Sequence, residues 1–327
     1  MQKFVFGADI GGTTVKIGLF QTDGELLKKW EIPTRTDNRG SKVLPDIAAS
    51  VADTMKQHAI TANQVLGIGF GVPGPVDDRC NVNRCVNLGW GVFNLKERMN
   101  QLLPEIPHVT AGNDANVATL GELWKGGGQG NKSAVMITLG TGVGGGVVVQ
   151  GKIVAGRNGG AGEIGHMPVE PAEIAPCSCG KCGCLEQYAS ARGIARMAKQ
   201  MLAKSNCKSM LDEIPDLNSK HICEAAAAGD PMAQRIMDRF GQYLGRAMSY
   251  VSCTVDPDVF IIGGGMSKAG TIVIDAIDKH YRASAFHVSR ETPIVLAKLG
   301  NDAGIYGCAK MVMDSQNRKH VISHDTF

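Results

Sequence analysis

A chain of 327 residues with 43% hydrophobic content can bury a large core and can accommodate two domains. Its formal net charge of +3 is spread without a basic block, which argues against nucleic acid or a membrane surface as a partner. No stretch approaches the roughly 18 uninterrupted apolar residues of a spanning helix, and MQKFVFGADI runs straight into a strand pattern without a leader-like apolar region, so a cytoplasmic enzyme is expected.

The first two strand-like segments, KFVFGADI and VKIGLF, are joined by a turn through Gly11, Gly12, Thr13 and Thr14. Glycines let successive backbone N–H groups point at one anion, the threonine hydroxyls add donors, and Asp9 can orient a hydrated Mg²⁺. Val43 to His58 has helical periodicity, and VLGIGFGVP reads as a further strand. In VNLGWG, Asn87 and Trp90 stand open between lining a pocket and ordinary packing.

After PHVTA comes GNDANVATLGE, which sets Asn113, Asp114 and Asn116 between a strand and a helix start. Such side chains make poor core and good partners for hydroxyl groups. Asp114 also suits the N-cap of the helix ANVATLGELW, a role that does not exclude chemistry, and Asn116 is expected to be structural. The linker-like GGGQGNK places a domain boundary between Asp114 and Gly130.

SAVMITLGTG and GGGVVVQGKIV repeat the opening hairpin, with Gly140, Thr141, Gly142 and Gly144 at the turn. A repeated hairpin suggests two related domains facing one cleft and a second nest for phosphate. Gly140, Gly142 and Gly145 match G-x-G-x-x-G, as do Gly69, Gly71 and Gly74, yet neither match opens a helix, so no dinucleotide site follows. GGGQGNKS fails the P-loop pattern at Asn131.

Four of the ten cysteines crowd between Cys177 and Cys184, which in a cytosolic chain reads as metal binding rather than disulfides. With His166 upstream there are more soft ligands than one Zn²⁺ needs, and spacing alone does not choose among them. Asp230 to Ser252 is helical in pattern. The strand VFIIGGG ends in Gly263, Gly264 and Gly265, where small residues would let an adenine or ribose approach the backbone. PIVLAKLG is a last strand, and the polar tail DSQNRKHVISHDTF is expected to fray.

DIGGTTVKIGLF, GNDANVATLGE, LGTGVGGGVV, GGAGEIGH and CSCGKCGCLE, in that order, resemble the ROK family of sugar kinases and sugar-responsive repressors, within the actin-like ATPase superfamily. The resemblance runs from about Phe4 to Lys310. It implies an α/β fold of two actin-like (ribonuclease H-like) domains with mixed sheets around a central cleft. The small domain would span 1–116, with 301–327 returning to it, and the large domain 117–300 would carry the zinc-binding loop.

The activity implied is ATP-dependent phosphorylation of a hexose, with glucose at O6 the nearest fit, in a cytoplasmic homodimer using Mg²⁺ and a structural Zn²⁺. Its family motif puts zinc on His166, Cys177, Cys179 and Cys184, leaving Cys182 at a variable position. The sugar would meet Asn113, Asp114, Glu163, His166 and Glu186, with Asp114 as the base that takes the proton from the primary hydroxyl. ATP would meet Asp9, Gly11, Gly12, Thr13, Thr14 and Lys16, the second glycine turn, and Gly263 to Gly265. These residues do not separate glucose from mannose, fructose, allose or an N-acetylhexosamine. Family repressors carry a helix-turn-helix before the DxGxT strand; that strand starts here at residue 4, which favours a kinase.

Overall fold

The computed structural model describes residues 3–322, with side chains as far as Gln316. Seven strands precede the helix Asp114–Lys125: β1 (Phe4–Ile10), β2 (Thr14–Gln21), β3 (Leu26–Pro33), β4 (Val65–Val72), β5 (Asn81–Cys85), β6 (Trp90–Asn94) and β7 (Val109–Asn113). Five more follow: β8 (Ala134–Leu139), β9 (Val143–Val149), β10 (Lys152–Ile153), β11 (Val259–Gly263) and β12 (Ile294–Leu296). Two five-stranded sheets result, ordered β3-β2-β1-β4-β7 and β10-β9-β8-β11-β12, with β5 and β6 forming a small antiparallel pair.

The two large sheets share one plan. In each, the first strand of its group is central, the second and third lie to one side, and the fourth and fifth lie to the other. β1 and β4 run parallel, as do β4 and β7, while β2 is antiparallel to both β1 and β3. In the second sheet β8, β11 and β12 are parallel and β9 is antiparallel to β10. The hairpin repeat seen in the sequence is therefore a repeat of whole mixed sheets.

Side-chain alternation explains how the first sheet is covered. Phe4, Phe6, Ala8 and Ile10 of β1 enter a core that includes Val43, Ile47 and Val51 of the helix Val43–Gln57. Val5 points the other way and packs with Phe20 and with Ile305, Ala309 and Val312 of the helix Ala303–Ile322. At the edge, β3 alternates half-buried and exposed residues. The C-terminal helix meets the helix Asp114–Lys125 at glycines: a Cβ on Gly121 would stand 2.1 Å from the Ala303 carbonyl oxygen, and one on Gly307 would stand 1.7 Å from that of Val117. Only glycine lets two backbones approach so closely.

Two compact units result, one of Met1–Gly130, Gly146–Ala161 and the chain from Asn301 onward, the other of Asn131–Gly145 and Gly162–Gly300. The resemblance set the boundary at 116/117; the units instead part at Gly130 and Asn131, inside the glycine-rich run. The whole helix Asp114–Lys125 stays with the first sheet because it packs on the C-terminal helix. Within the second unit, Asp230 caps the helix Pro231–Val255 by accepting the Ala233 N–H at 2.8 Å, and Pro231 opens it. The tail expected to fray from Asp314 is helical to Ile322, and 323–327 lie outside the described residues. Among the described residues no helix is long and apolar enough to cross a membrane.

Candidate active site

In the first unit, β1 and β2 are joined by the turn Gly11 to Thr13. Gly11 N–H donates to the Thr14 carbonyl at 3.0 Å, Thr34 N–H donates to Thr13 O at 2.8 Å, and the Thr34 hydroxyl donates to Gly11 O at 2.8 Å. Thr34, the residue after β3, thus pins a turn whose Gly12 and Thr13 remain exposed. Asp9 and Lys16 are register partners across the hairpin, and Lys16 Nζ donates to Asn301 O at 3.0 Å. Burial, then the charge of Asp114, raise the Asp9 carboxyl to about 7, against the pull of Lys16. Two carboxylates in each other's field, with a single lysine beside them, fit a hard divalent cation such as Mg²⁺.

β7 ends at Asn113, which caps the following helix: its Oδ1 accepts the Asn116 N–H at 3.1 Å. Its Nδ2 donates to Asp114 Oδ1 at 3.0 Å and to Gly74 O at 3.3 Å, while Ala115 N–H donates to the same Asp114 oxygen at 2.8 Å. The cap is therefore Asn113. Asp114 occupies the first turn, where the helix dipole favours a negative charge. Asn116 is buried and accepts the Val147 N–H at 3.0 Å, which ties the helix to β9. Trp90 is core: it is buried and gives its indole N–H to Gly40 O at 3.1 Å, whereas Asn87 is exposed.

In the second unit, Gly140 N–H donates to Gly142 O at 3.0 Å, Gly140 O accepts the Ala191 N–H at 2.8 Å, and Thr141 is exposed. Gly264, at φ +83, leaves β11 so close to the end of β8 that a Cβ there would stand 2.6 Å from Leu139 N. The glycines at 263–265 and the turn after β8 are thereby neighbours. Glu186 reaches the same turn, since a Cβ on Gly142 would lie 2.7 Å from its Oε2.

Glu186 also reaches the cysteine loop. Its Oε1 accepts from the Cys177 thiol at 2.9 Å and from the Ser178 hydroxyl at 2.8 Å. Burial opposes its charge, but these donors hold its carboxyl below the usual range. His166, at the end of the short turn Ile164–His166, and Cys177, Cys179 and Cys184 hold their donor atoms within 4.8 Å of one another. Cys177 Sγ lies 3.8 Å from His166 Nδ1, and Cys179 Sγ lies 3.6 Å from Cys184 Sγ. Tetrahedral zinc with Zn–S bonds of about 2.3 Å sets its sulfurs about 3.8 Å apart, so this donor set fits the metal. Burial, then the neighbouring thiols, push Cys184 up to about 12. Cys182 points elsewhere, towards Ile174 O at 3.5 Å, and Glu163 is exposed.

One set of residues escaped the sequence. Glu173, in the loop before Cys177, accepts from Tyr188 Oη at 2.6 Å and pairs with Arg196 at 2.7 Å. Arg196, then Tyr188, lower its carboxyl to about 2. Tyr188 stacks on Tyr243 with ring centroids 4.3 Å apart, and Tyr243 Oη donates to Glu170 at 2.9 Å. The cysteine loop is thus clamped to three helices by partners 15 to 73 residues away in sequence, and no local pattern signals that.

Residues 5–315 match the ROK family, and the chain belongs to it. It is 40% identical to a glucokinase of Halalkalibacterium halodurans over 96% of both chains, and 35% identical to a glucokinase of Thermotoga maritima over 95% of this chain and 97% of that one. A crystal structure of a ROK family glucokinase from Streptomyces griseus in complex with glucose and AMPPNP superposes with a TM-score of 0.71 at 35% identity, covering 94% of this chain and 98% of the other. A putative sugar kinase from Cytophaga hutchinsonii superposes at 0.80 with 30% identity, covering 95% and 99%.

Proposed function

We propose that this chain is an ATP-dependent glucokinase that phosphorylates the 6-hydroxyl of glucose, with Asp114 as general base. The observation that carries this proposal is the Asn113–Asp114 pair at the end of β7, one carboxylate oxygen fixed by two donors, in a chain with glucokinase relatives along nearly its whole length. Asp114 takes the proton of the 6-hydroxyl as that oxygen attacks the γ-phosphorus. The bond from phosphorus to the bridging oxygen breaks, and ADP leaves with its electron pair. Phosphoryl transfer needs little covalent assistance, so positioning and charge neutralisation dominate.

Asn113 holds a neighbouring sugar hydroxyl, and Glu163, His166 and Glu186 supply further donors and acceptors for the ring. The turn Gly11 to Thr14 with Lys16, and Gly140, Thr141, Gly142 and Gly144, offer N–H and hydroxyl donors to the phosphates. Gly263 to Gly265 leave room for the adenosine. Mg²⁺, when bound, neutralises phosphate charge, and Asp9 orients its water shell. His166, Cys177, Cys179 and Cys184 hold zinc as a closed cross-link. A cytoplasmic homodimer goes with this function, and sedimentation checks the oligomeric state.

The test is ADP release with Mg·ATP against glucose, mannose, fructose, allose, N-acetylglucosamine and N-acetylmannosamine. The highest kcat/KM is expected for glucose. A different winner overturns the substrate, and no turnover of any sugar by folded, zinc-loaded protein overturns the kinase.

A further inference from the structure

Asp9 lies in a slot walled by two glycines. A Cβ on Gly71 of β4 would stand 2.9 Å from Asp9 Oδ1, and a Cβ on Gly304, in the first turn of the C-terminal helix, would stand 2.3 Å from Oδ2 and 2.4 Å from Cγ. At Gly304 the three nearest atoms all belong to Asp9, so a methyl group there would displace the carboxylate before anything else. Gly304 does not have the positive φ that would call for glycine, and helices disfavour glycine where nothing requires it. Its backbone thus gives no reason for glycine at this position, and the approach of Asp9 does.

The same helix start touches the other charged residue of the hairpin. Lys16 Nζ donates to Asn301 O at 3.0 Å, two residues before the helix Ala303–Ile322. The entry of this helix therefore holds Lys16 by a carbonyl and Asp9 by close packing, and the positive end of its dipole lies at the carboxylate. These contacts all lie within the first unit.

We infer that Gly304 is a positioning residue for Asp9: its missing side chain lets the C-terminal helix close on the carboxylate and fix the orientation that Mg·ATP requires. This rests on the kinase function proposed above. A displaced Asp9 leaves its preferred rotamer or loses its aim at the metal's water shell, and either weakens nucleotide binding without touching the sugar contacts.

Gly304→Ala, Asp9→Ala and the double variant form the test, read by calorimetric Mg·ATP and glucose affinities and by thermal midpoint. Gly304→Ala is expected to weaken Mg·ATP binding about tenfold or more while glucose binding stays within about twofold. It should lower the midpoint in the native background and raise it in Asp9→Ala, where the methyl group finds space and the helix gains a better former. Gly71→Ala, with its longer approach, should weaken Mg·ATP by less. Unchanged Mg·ATP affinity, or the same midpoint shift in both backgrounds, overturns the inference. Wild-type protein that binds Mg·ATP and shows the expected cycle yet phosphorylates no sugar overturns the kinase and leaves the role of Gly304 standing.

Discussion

Asn113 and Asp114 are joined by a hydrogen bond of 3.0 Å from the amide of one to the carboxylate of the other, and the same amide side chain caps the helix that Asp114 begins. One side chain thus fixes both a helix start and the proposed base. Asp114→Asn keeps the shape and removes the charge, so glucose and Mg·ATP should bind much as in wild type while kcat falls at least about 10²-fold. Single-turnover measurement beside equilibrium binding checks this, and a turnover within about tenfold of wild type would sink the base assignment.

Asn113→Ala removes the cap and the donor together. Thermal or urea unfolding should show a loss of about 1 kcal/mol, in the usual range for a missing N-cap. Turnover should drop as well, because Asp114 Oδ1 loses the Asn113 amide that helps to orient it. Asn113→Asp restores a capping acceptor, so it should recover stability and not activity.

The four-donor cluster predicts stoichiometric zinc in protein purified without chelator. Removing it should lower the thermal midpoint along with activity, since binding free energy at a structural site is also folding free energy. Cys184→Ser should lose the metal and Cys182→Ser should retain it, because the Cys182 thiol points at Ile174 O. Elemental analysis of the variants checks both, and a stable, fully active metal-free protein would refute a structural role.

Asp9 sets a pH dependence. Its folded value is raised from 3.8 to about 7, so between those values the folded chain keeps a proton that the unfolded chain has lost. Folding stability therefore falls as pH rises through that window and is steady above it, as far as this group is concerned. Without Mg²⁺, wild type should lose midpoint relative to Asp9→Asn from about pH 4 to about pH 7. Parallel melting curves across that range would contradict the raised value. Mg²⁺ should shift the fall to lower pH, since a cation favours the ionised carboxyl.

Local chemistry made a good part of this legible. Two hairpins with glycine turns announced two related domains. Asn113 and Asp114 stood out because polar side chains at the end of a buried strand have few structural uses. The role of each was less visible: the cap fell to Asn113 rather than Asp114, since capping depends on backbone angles at the strand's last residue. Trp90 suits a pocket wall as well as a core by its residue type alone, and its place in the core is set by the Gly40 carbonyl, 50 residues away, which accepts its N–H.

The sequence by itself determined most of the strands of the two large sheets, the glycine turns and the soft-ligand cluster, because strand composition, turn conformations and metal-ligand types are properties of short segments; β3, β5 and β6 carried no such signal. Tertiary structure decided where the compact units part and which cysteine stands aside. It also decided that the loop holding the others is anchored by Glu173, Tyr188 and Tyr243, and that the C-terminal helix closes on Asp9 through Gly304. These depend on approaches between segments as much as 295 residues apart in the chain, from Asp9 to Gly304, and a missing side chain declares its purpose only when the atom that fills its space is known.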